Sequence, residues 1–243
     1  INKSDSQIVI INDWIGLKIL IDKYYERDEI DLLKGHFNDK IKNNTFIDVG
    51  ANIGNHTLYF QKYFKNIKAF EPQVKIFKIL KLNTENFKNI NIFNYGLDTS
   101  SYTTKFSIPF SNSGMANELK KDLACYTEKV EFKIFDKNHN DTISYIKIDV
   151  EGNEEKVLMS MKNSIIKNLP IISFELNSNT NLRIRIIDFF KSIGYDKFYV
   201  SEKYFFPRNV RFVKRFFGKP KKLRSLSIAD LISKKNNFNL IHT

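Results

Sequence analysis

The sequence predicts an α/β fold, with a mostly parallel sheet that carries helices on both faces. Three observations support this. Short β-rich runs alternate with longer stretches of helical periodicity, the pattern of right-handed βαβ units. The first β run ends in a glycine-containing turn that opens a helix. The chain has 243 residues and is 42% hydrophobic, enough apolar material for a domain-sized core.

The elements follow in order. Residues before about Tyr24 read as an N-terminal cap, so the expected division is a cap over 1–24 and a single domain over 25–243. Thr45–Val49 is the first strand. Asn55–Phe64 reads as a helix, with Leu58, Phe60, Tyr63 and Phe64 on its apolar side. Ile67–Phe70 is the second strand, and Val74–Phe87 is a helix with Ile76, Phe77, Leu80 and Phe87 at helical spacing. Asn91–Tyr95, Tyr145–Val150 and Ile171–Leu176 are the third to fifth strands. Glu154–Asn168 and Leu182–Ile193 are helices, and Lys197–Ser201 and Phe238–Ile241 are late strands. The stretch Thr99–Asp141 breaks this rhythm. Its two β segments, Tyr102–Ile108 and Lys129–Phe135, form a small insertion after the third strand.

Composition narrows the function classes. The single cysteine, Cys125, excludes an internal disulfide, a Cys-based zinc site and an iron–sulfur cluster. No apolar run approaches the roughly 18 residues that span a bilayer. No signal peptide is recognisable, and the expected compartment is the cytoplasm. A net charge of +12 invites a nucleic-acid or membrane reading. Yet 32 of the 39 basic residues are Lys in a chain also rich in Ile and Asn, as an AT-rich genome produces.

The informative segment is Asp48-Val49-Gly50-Ala51-Asn52-Ile53-Gly54, between a strand and a helix. Gly50 and Gly54 let the backbone turn sharply and approach a ligand, and Asn52, Asn55 and His56 lie at the helix opening. Neither G-x-G-x-x-G nor the Walker pattern is present, so phosphate cradling is not indicated. Glu71 ends the second strand, where a carboxylate can accept hydrogen bonds from two ribose hydroxyls. Together these features suit a nucleoside ligand without pyrophosphate. S-adenosylmethionine fits, with Asp48 on the side of its ammonium group and Glu71 on its ribose.

Several stretches resemble the FkbM-type S-adenosylmethionine-dependent methyltransferases: FIDVGANIG (46–54), AFEP (69–72), L-x-x-N (80–83), SFE (173–175) and above all IKIDVEGNE (146–154). The resemblance covers roughly Tyr25 to Asn177. It implies a class I (Rossmann-like) methyltransferase fold with a seven-stranded sheet, O-methylation of a hydroxyl, and a glycan or natural-product acceptor.

Methyl transfer needs an oriented acceptor and a group to take its proton. Asp149, at the end of the fourth strand, is the first candidate for that base and His56 the second. Asp149 could instead only order the methionine part of the cofactor, and a divalent ion is an alternative activator. Glu151 and Glu154 follow Asp149, and Glu154 also suits a helix N-terminus. Glu175 and Asn177 at the end of the fifth strand are candidate acceptor ligands, as are Asn112 and Ser113 in the insertion loop. Lys147 alternates with Ile146 and Ile148 in an apolar strand, so it needs a carboxylate partner.

The charge is unevenly placed. Lys203 to Arg224 holds nine basic residues and no acid, which codon bias does not produce. Within it, 208–217 reads as a short basic amphipathic helix presenting Arg211, Lys214 and Arg215 on one side. As an insert between the last two strands, it is expected to meet an anionic acceptor or an anionic lipid surface, placing the protein at the inner membrane surface. A saccharide O-methyltransferase of surface-glycan or lipid-linked oligosaccharide synthesis is the leading expectation. An RNA methyltransferase is the alternative, although the fourth strand ends in DVEG rather than the motif of base-amino methyltransferases. A non-catalytic glycan- or membrane-binding module is the third.

Overall fold

The computed structural model describes residues 7–11, 14–35, 44–109, 125–150, 152–176, 179–203, 221–225 and 238–242. In chain order, α1 (Trp14–Asp22) and α2 (Arg27–Lys34) precede β1 (Thr45–Val49) and α3 (Asn55–Phe60). Next come β2 (Asn66–Phe70), α4 (Val74–Thr84) and β3 (Ile90–Phe93). The insertion follows, with β4 (Gly96–Leu97), β5 (Tyr102–Pro109), β6 (Cys125–Lys133) and α5 (Phe135–Asn138). The main domain resumes with β7 (Ile143–Ile148), α6 (Glu154–Ser160), α7 (Lys162–Asn168), β8 (Ile171–Leu176) and α8 (Thr180–Ser192). The chain closes with β9 (Phe198–Lys203), β10 (Lys221–Ser225) and β11 (Phe238–His242).

The main sheet has the order β10-β9-β11-β8-β7-β1-β2-β3. The five strands from β3 to β8 are parallel, whereas β11 runs antiparallel to both β8 and β9. The chain leaves β1 toward β2 on one side and later returns to β7 on the other. That reversal opens a crevice at the carboxyl ends of the central strands. β1 is buried along its whole length, as a parallel strand covered on both faces must be.

The sheet has eight strands, not the expected seven. Lys221–Ser225, part of the expected basic insert, pairs antiparallel with β9, with Lys221 opposite Lys203. A lysine-rich stretch is suited to a sheet edge, where charge discourages further pairing. The predicted helix within the insert, with Arg211, Lys214 and Arg215, lies outside the described residues. The predicted helix Glu154–Asn168 divides at Met161, whose backbone leaves helical geometry (φ −109°, ψ 7°). Asp136 fixes the division, because its carboxylate accepts from the Asn163 and Ser164 N–H groups at 2.7 and 3.1 Å and so caps α7.

The insertion forms a separate three-stranded sheet, β4-β6-β5. It is fastened to the main domain by Glu128, whose carboxylate accepts from Val74 N and Lys75 N at the start of α4. The first described residues lie across α4 as well. Asn83 accepts from Ile8 N at 2.6 Å and donates to Ile8 O at 3.1 Å, and Ile19 packs with Ile53 and Ile76.

Candidate active site

The glycine turn after β1 builds the centre of the crevice. Gly50 has φ +75°, and a Cβ there would lie 1.9 Å from the Asp149 carbonyl oxygen. The turn therefore presses against the end of β7 only because Gly50 has no side chain. Gly50 N and Ala51 N both donate to Phe70 O at 3.0 Å, tying the turn to the end of β2. Asn52 is also left-handed, with φ +52°. Its N–H donates to Glu71 Oε2 at 3.0 Å, and Gln73 N donates to Glu71 Oε1 at 2.9 Å. Burial pushes the Glu71 carboxyl up to about 7, against the opposing pull of those two N–H donors.

A cavity of about 500 Å3 lies over this turn, within the size range of small-molecule sites. Gly50, Asn52, Asn55, His56, Glu71 and Asp149 line it, so six predicted site residues converge there. A smaller recess of about 30 Å3 shares His56, Lys147 and Asp149 with the cavity and adds Glu26, Glu29, Ser173 and Glu175. Asp149 and His56 thus stand where two spaces meet. Asp149 is half-exposed, whereas His56 is buried and held well below its ordinary pKa, first by burial and then by Lys147. Its imidazole is neutral at physiological pH.

Two predicted residues have different positions from those expected. Asp48 does not line the cavity: it is fully buried, accepting from Thr57 Oγ1 at 2.6 Å and facing Lys147 at 3.5 Å. Gly54 does not line it either. A Cβ there would meet Leu80 at 2.9 Å, so its constraint is the packing of α3 on α4. Asn55 reaches the cavity, but its amide clamps Tyr25, with 2.9 Å bonds to both Tyr25 N and Tyr25 O. Glu154 is buried at the start of α6 and accepts from Gly152 N at 2.8 Å, as a helix N-terminal carboxylate does. Glu151, Asn177, Asn112 and Ser113 lie outside the described residues.

Sequence reasoning missed the cavity-lining positions of Tyr25 and Lys147. Lys147 lines both spaces and donates to Gly50 O at 3.0 Å. Burial alone would lower its pKa, but Asp149 and Asp48 hold it above the ordinary lysine value. The signal was a charged residue inside a buried strand. Phe106 and Phe132 bring the insertion to the cavity wall. Among the described residues, no group of three or more His, Cys, Asp or Glu is arranged to hold a metal ion.

The methyltransferase FkbM domain matches residues 48–197, which is more than half of the chain. The chain belongs to the FkbM methyltransferase domain family. The match begins at Asp48 near the end of β1, takes in the glycine turn and β8, and ends beyond α8.

Among solved structures, this FkbM-domain chain is similar to methyltransferase FkbM from Methylobacillus flagellatus KT. The TM-score is 0.54 and the identity 14%, over 91% of this chain and 47% of that one. The chain therefore spans about half the length of that protein. It is also similar to precorrin 8w decarboxylase from Methanobacterium thermoautotrophicum (TM-score 0.46, 11% identity, covering 91% and 97%). A third is precorrin-6y C5,15-methyltransferase from Geobacter metallireducens GS-15 (TM-score 0.45, 10% identity, covering 91% and 94%). The likeness to the Methylobacillus flagellatus protein shows the fold. No curated protein matches the sequence.

Proposed function

We propose that this FkbM-domain protein is an S-adenosylmethionine-dependent O-methyltransferase. Its acceptor is a hydroxyl of a saccharide in surface-glycan or lipid-linked oligosaccharide synthesis. The observation that carries the reading is the convergence of buried Glu71 and half-exposed Asp149 on one cavity, at the carboxyl edge of a parallel sheet.

The residues present fit the cofactor. Glu71 has both oxygens engaged by backbone N–H groups, which fixes its carboxylate for two ribose hydroxyls. Gly50 has no Cβ to collide with the Asp149 carbonyl, so the turn packs onto the end of β7 and its backbone forms part of the cavity wall. Lys147 also lines the cavity and supplies a positive charge for the carboxylate of the methionine part. When bound, the cofactor supplies an electrophilic methyl group on a sulfonium sulfur.

The protein's contribution to the chemistry is positioning and proton removal. Asp149, half-exposed at the cavity, is the residue placed to take the proton from the acceptor's hydroxyl. His56 stays neutral beside it, because desolvation and the Lys147 charge oppose protonation. Glu26, Glu29 and Glu175 border the recess next to Asp149. They offer acceptor oxygens for the hydroxyls of a sugar ring, which carries many donors in a small space.

The test is transfer of isotope-labelled methyl from S-adenosylmethionine to lipid-linked saccharides or to surface polysaccharide. The expected product is a methyl ether on a sugar, found by mass spectrometry after hydrolysis. Labelled RNA with unlabelled saccharide would overturn the acceptor assignment.

A further inference from the structure

The helix whose Ile15 lines the cavity, α1, also shows an apolar face outward. α1 is almost uniformly apolar, with only Lys18 and Asp22 charged among its nine residues. Its inner face is accounted for: Ile15 lines the cavity and Ile19 packs against Ile53 and Ile76. Leu17, Leu20 and Ile21, spaced at one helical turn, are 41%, 62% and 76% exposed. This face continues on either side of the helix. Gly16 lies so close to the Ile10 carbonyl that a Cβ would approach it to 2.0 Å, which binds the preceding segment to α1. Within that segment Ile8 and Ile11 are exposed, and Ile8 is held by Asn83, next to exposed Leu82 of α4.

Six exposed aliphatic side chains thus lie on α1, on the segment packed against it and on the neighbouring end of α4, where a monomer ordinarily keeps large apolar residues scattered. Its charged margin is basic. α4 carries exposed Lys75, Lys78 and Lys81 and no acid, and exposed Lys23 follows α1. Among the described residues the nearby acids are Asp22, which is paired with Lys18 at 3.5 Å, and Glu85 beyond the end of α4, while Asp5 and Asp13 fall on either side of residues 8–11 in the sequence.

We propose that this face, α1 with the residues around Ile8 and Leu82, docks the protein on an anionic lipid surface. The aliphatic side chains enter the acyl boundary and the α4 lysines meet lipid headgroups. Neither feature alone gives stable association, since a short apolar face binds marginally and surface lysines bind only electrostatically. Together they supply the two signals that peripheral anchoring requires. Docking by this face sets α1, whose Ile15 lines the cavity, against the membrane, where a lipid-linked acceptor is presented. The docking claim is separable from the methyl-transfer reading, because none of the six side chains lines the cavity.

The experiment is flotation of the full chain with phosphatidylcholine vesicles, with and without phosphatidylglycerol. It is paired with quenching of Trp14, the only tryptophan, by brominated acyl chains. Wild type is expected to float with the anionic vesicles and show quenched fluorescence. Binding should fall at least about fivefold on neutral vesicles or at raised salt. L17Q/L20Q/I21Q should lose both signals, and K78Q/K81Q should lose most of the flotation. Thermal melts and S-adenosylmethionine calorimetry on the same variants should match wild type, so loss of docking leaves the methyl-transfer reading standing. Absence of flotation, absence of quenching, or unchanged binding by L17Q/L20Q/I21Q overturns the proposal. So does a wild-type dimer that this variant converts to monomer, since a second copy then covers the face.

Discussion

The Lys147 ammonium lies 3.3 Å from an Asp149 carboxylate oxygen, with Asp149 half-exposed at the cavity and the lysine almost wholly buried behind it. The same ammonium lies 3.5 Å from Asp48, which has no solvent exposure. One cation therefore neutralises a buried carboxylate below the site and pairs with one that lines the cavity. The pairing follows from register: Asp48 of β1 stands opposite Lys147 of β7.

Removing that cation should be costly. Lys147→Met leaves Asp48 as an uncompensated buried charge, and the expected loss is about 3–5 kcal/mol in urea unfolding. Lys147→Arg should recover part of it. If Lys147→Met unfolds at the wild-type midpoint, the ion pair does not hold the site together.

Two left-handed glycines allow a controlled comparison. Gly194 has φ +92° and nothing within 4 Å of a Cβ position, so Gly194→Ala should cost only about 1–2 kcal/mol of backbone strain. Gly50→Ala adds a 1.9 Å approach to the Asp149 carbonyl and should cost more than about 3 kcal/mol. It should also displace the turn beneath the cavity. Comparable melting temperatures for the two variants would remove the steric argument.

Glu71 gives stability a specific pH dependence. Its folded-state pKa is raised from 4.5 to about 7, so the folded protein binds its proton more tightly than the unfolded chain does. This contribution is fully present below about pH 4.5 and is lost as pH rises through about 7. The amplitude is about 3 kcal/mol. Glu71→Gln should flatten that part of the stability profile, measured by denaturant unfolding at a series of pH values. An unchanged slope in Glu71→Gln would show that other groups carry it.

Much of this site could be read from the chain, but not how each side chain is used. Periodicity and β-branched content place Thr45–Val49 and Ile171–Leu176 at their observed bounds, because these strands are buried and locally consistent. β10 was not legible. KKLRS carries no strand pattern, and its conformation comes from pairing with β9. The break at Met161 depends on Asp136, far away in sequence. Asp48 and Lys147 show the same limit within the site. The sequence reads Asp48 as a cofactor residue and Lys147 as a charge in an apolar strand, but only the three-dimensional arrangement has Asp48 buried against Thr57 and Lys147 lining the cavity. Tyr25 enters the site only through the Asn55 clamp.

Calorimetric titration with S-adenosylmethionine tests the central claim most directly, using wild type and Glu71→Ala. The expected result is one site per chain, weakened at least about tenfold in the variant through loss of hydrogen bonds to a carboxylate. No binding by folded wild type, or equal affinity in Glu71→Ala, would contradict the account.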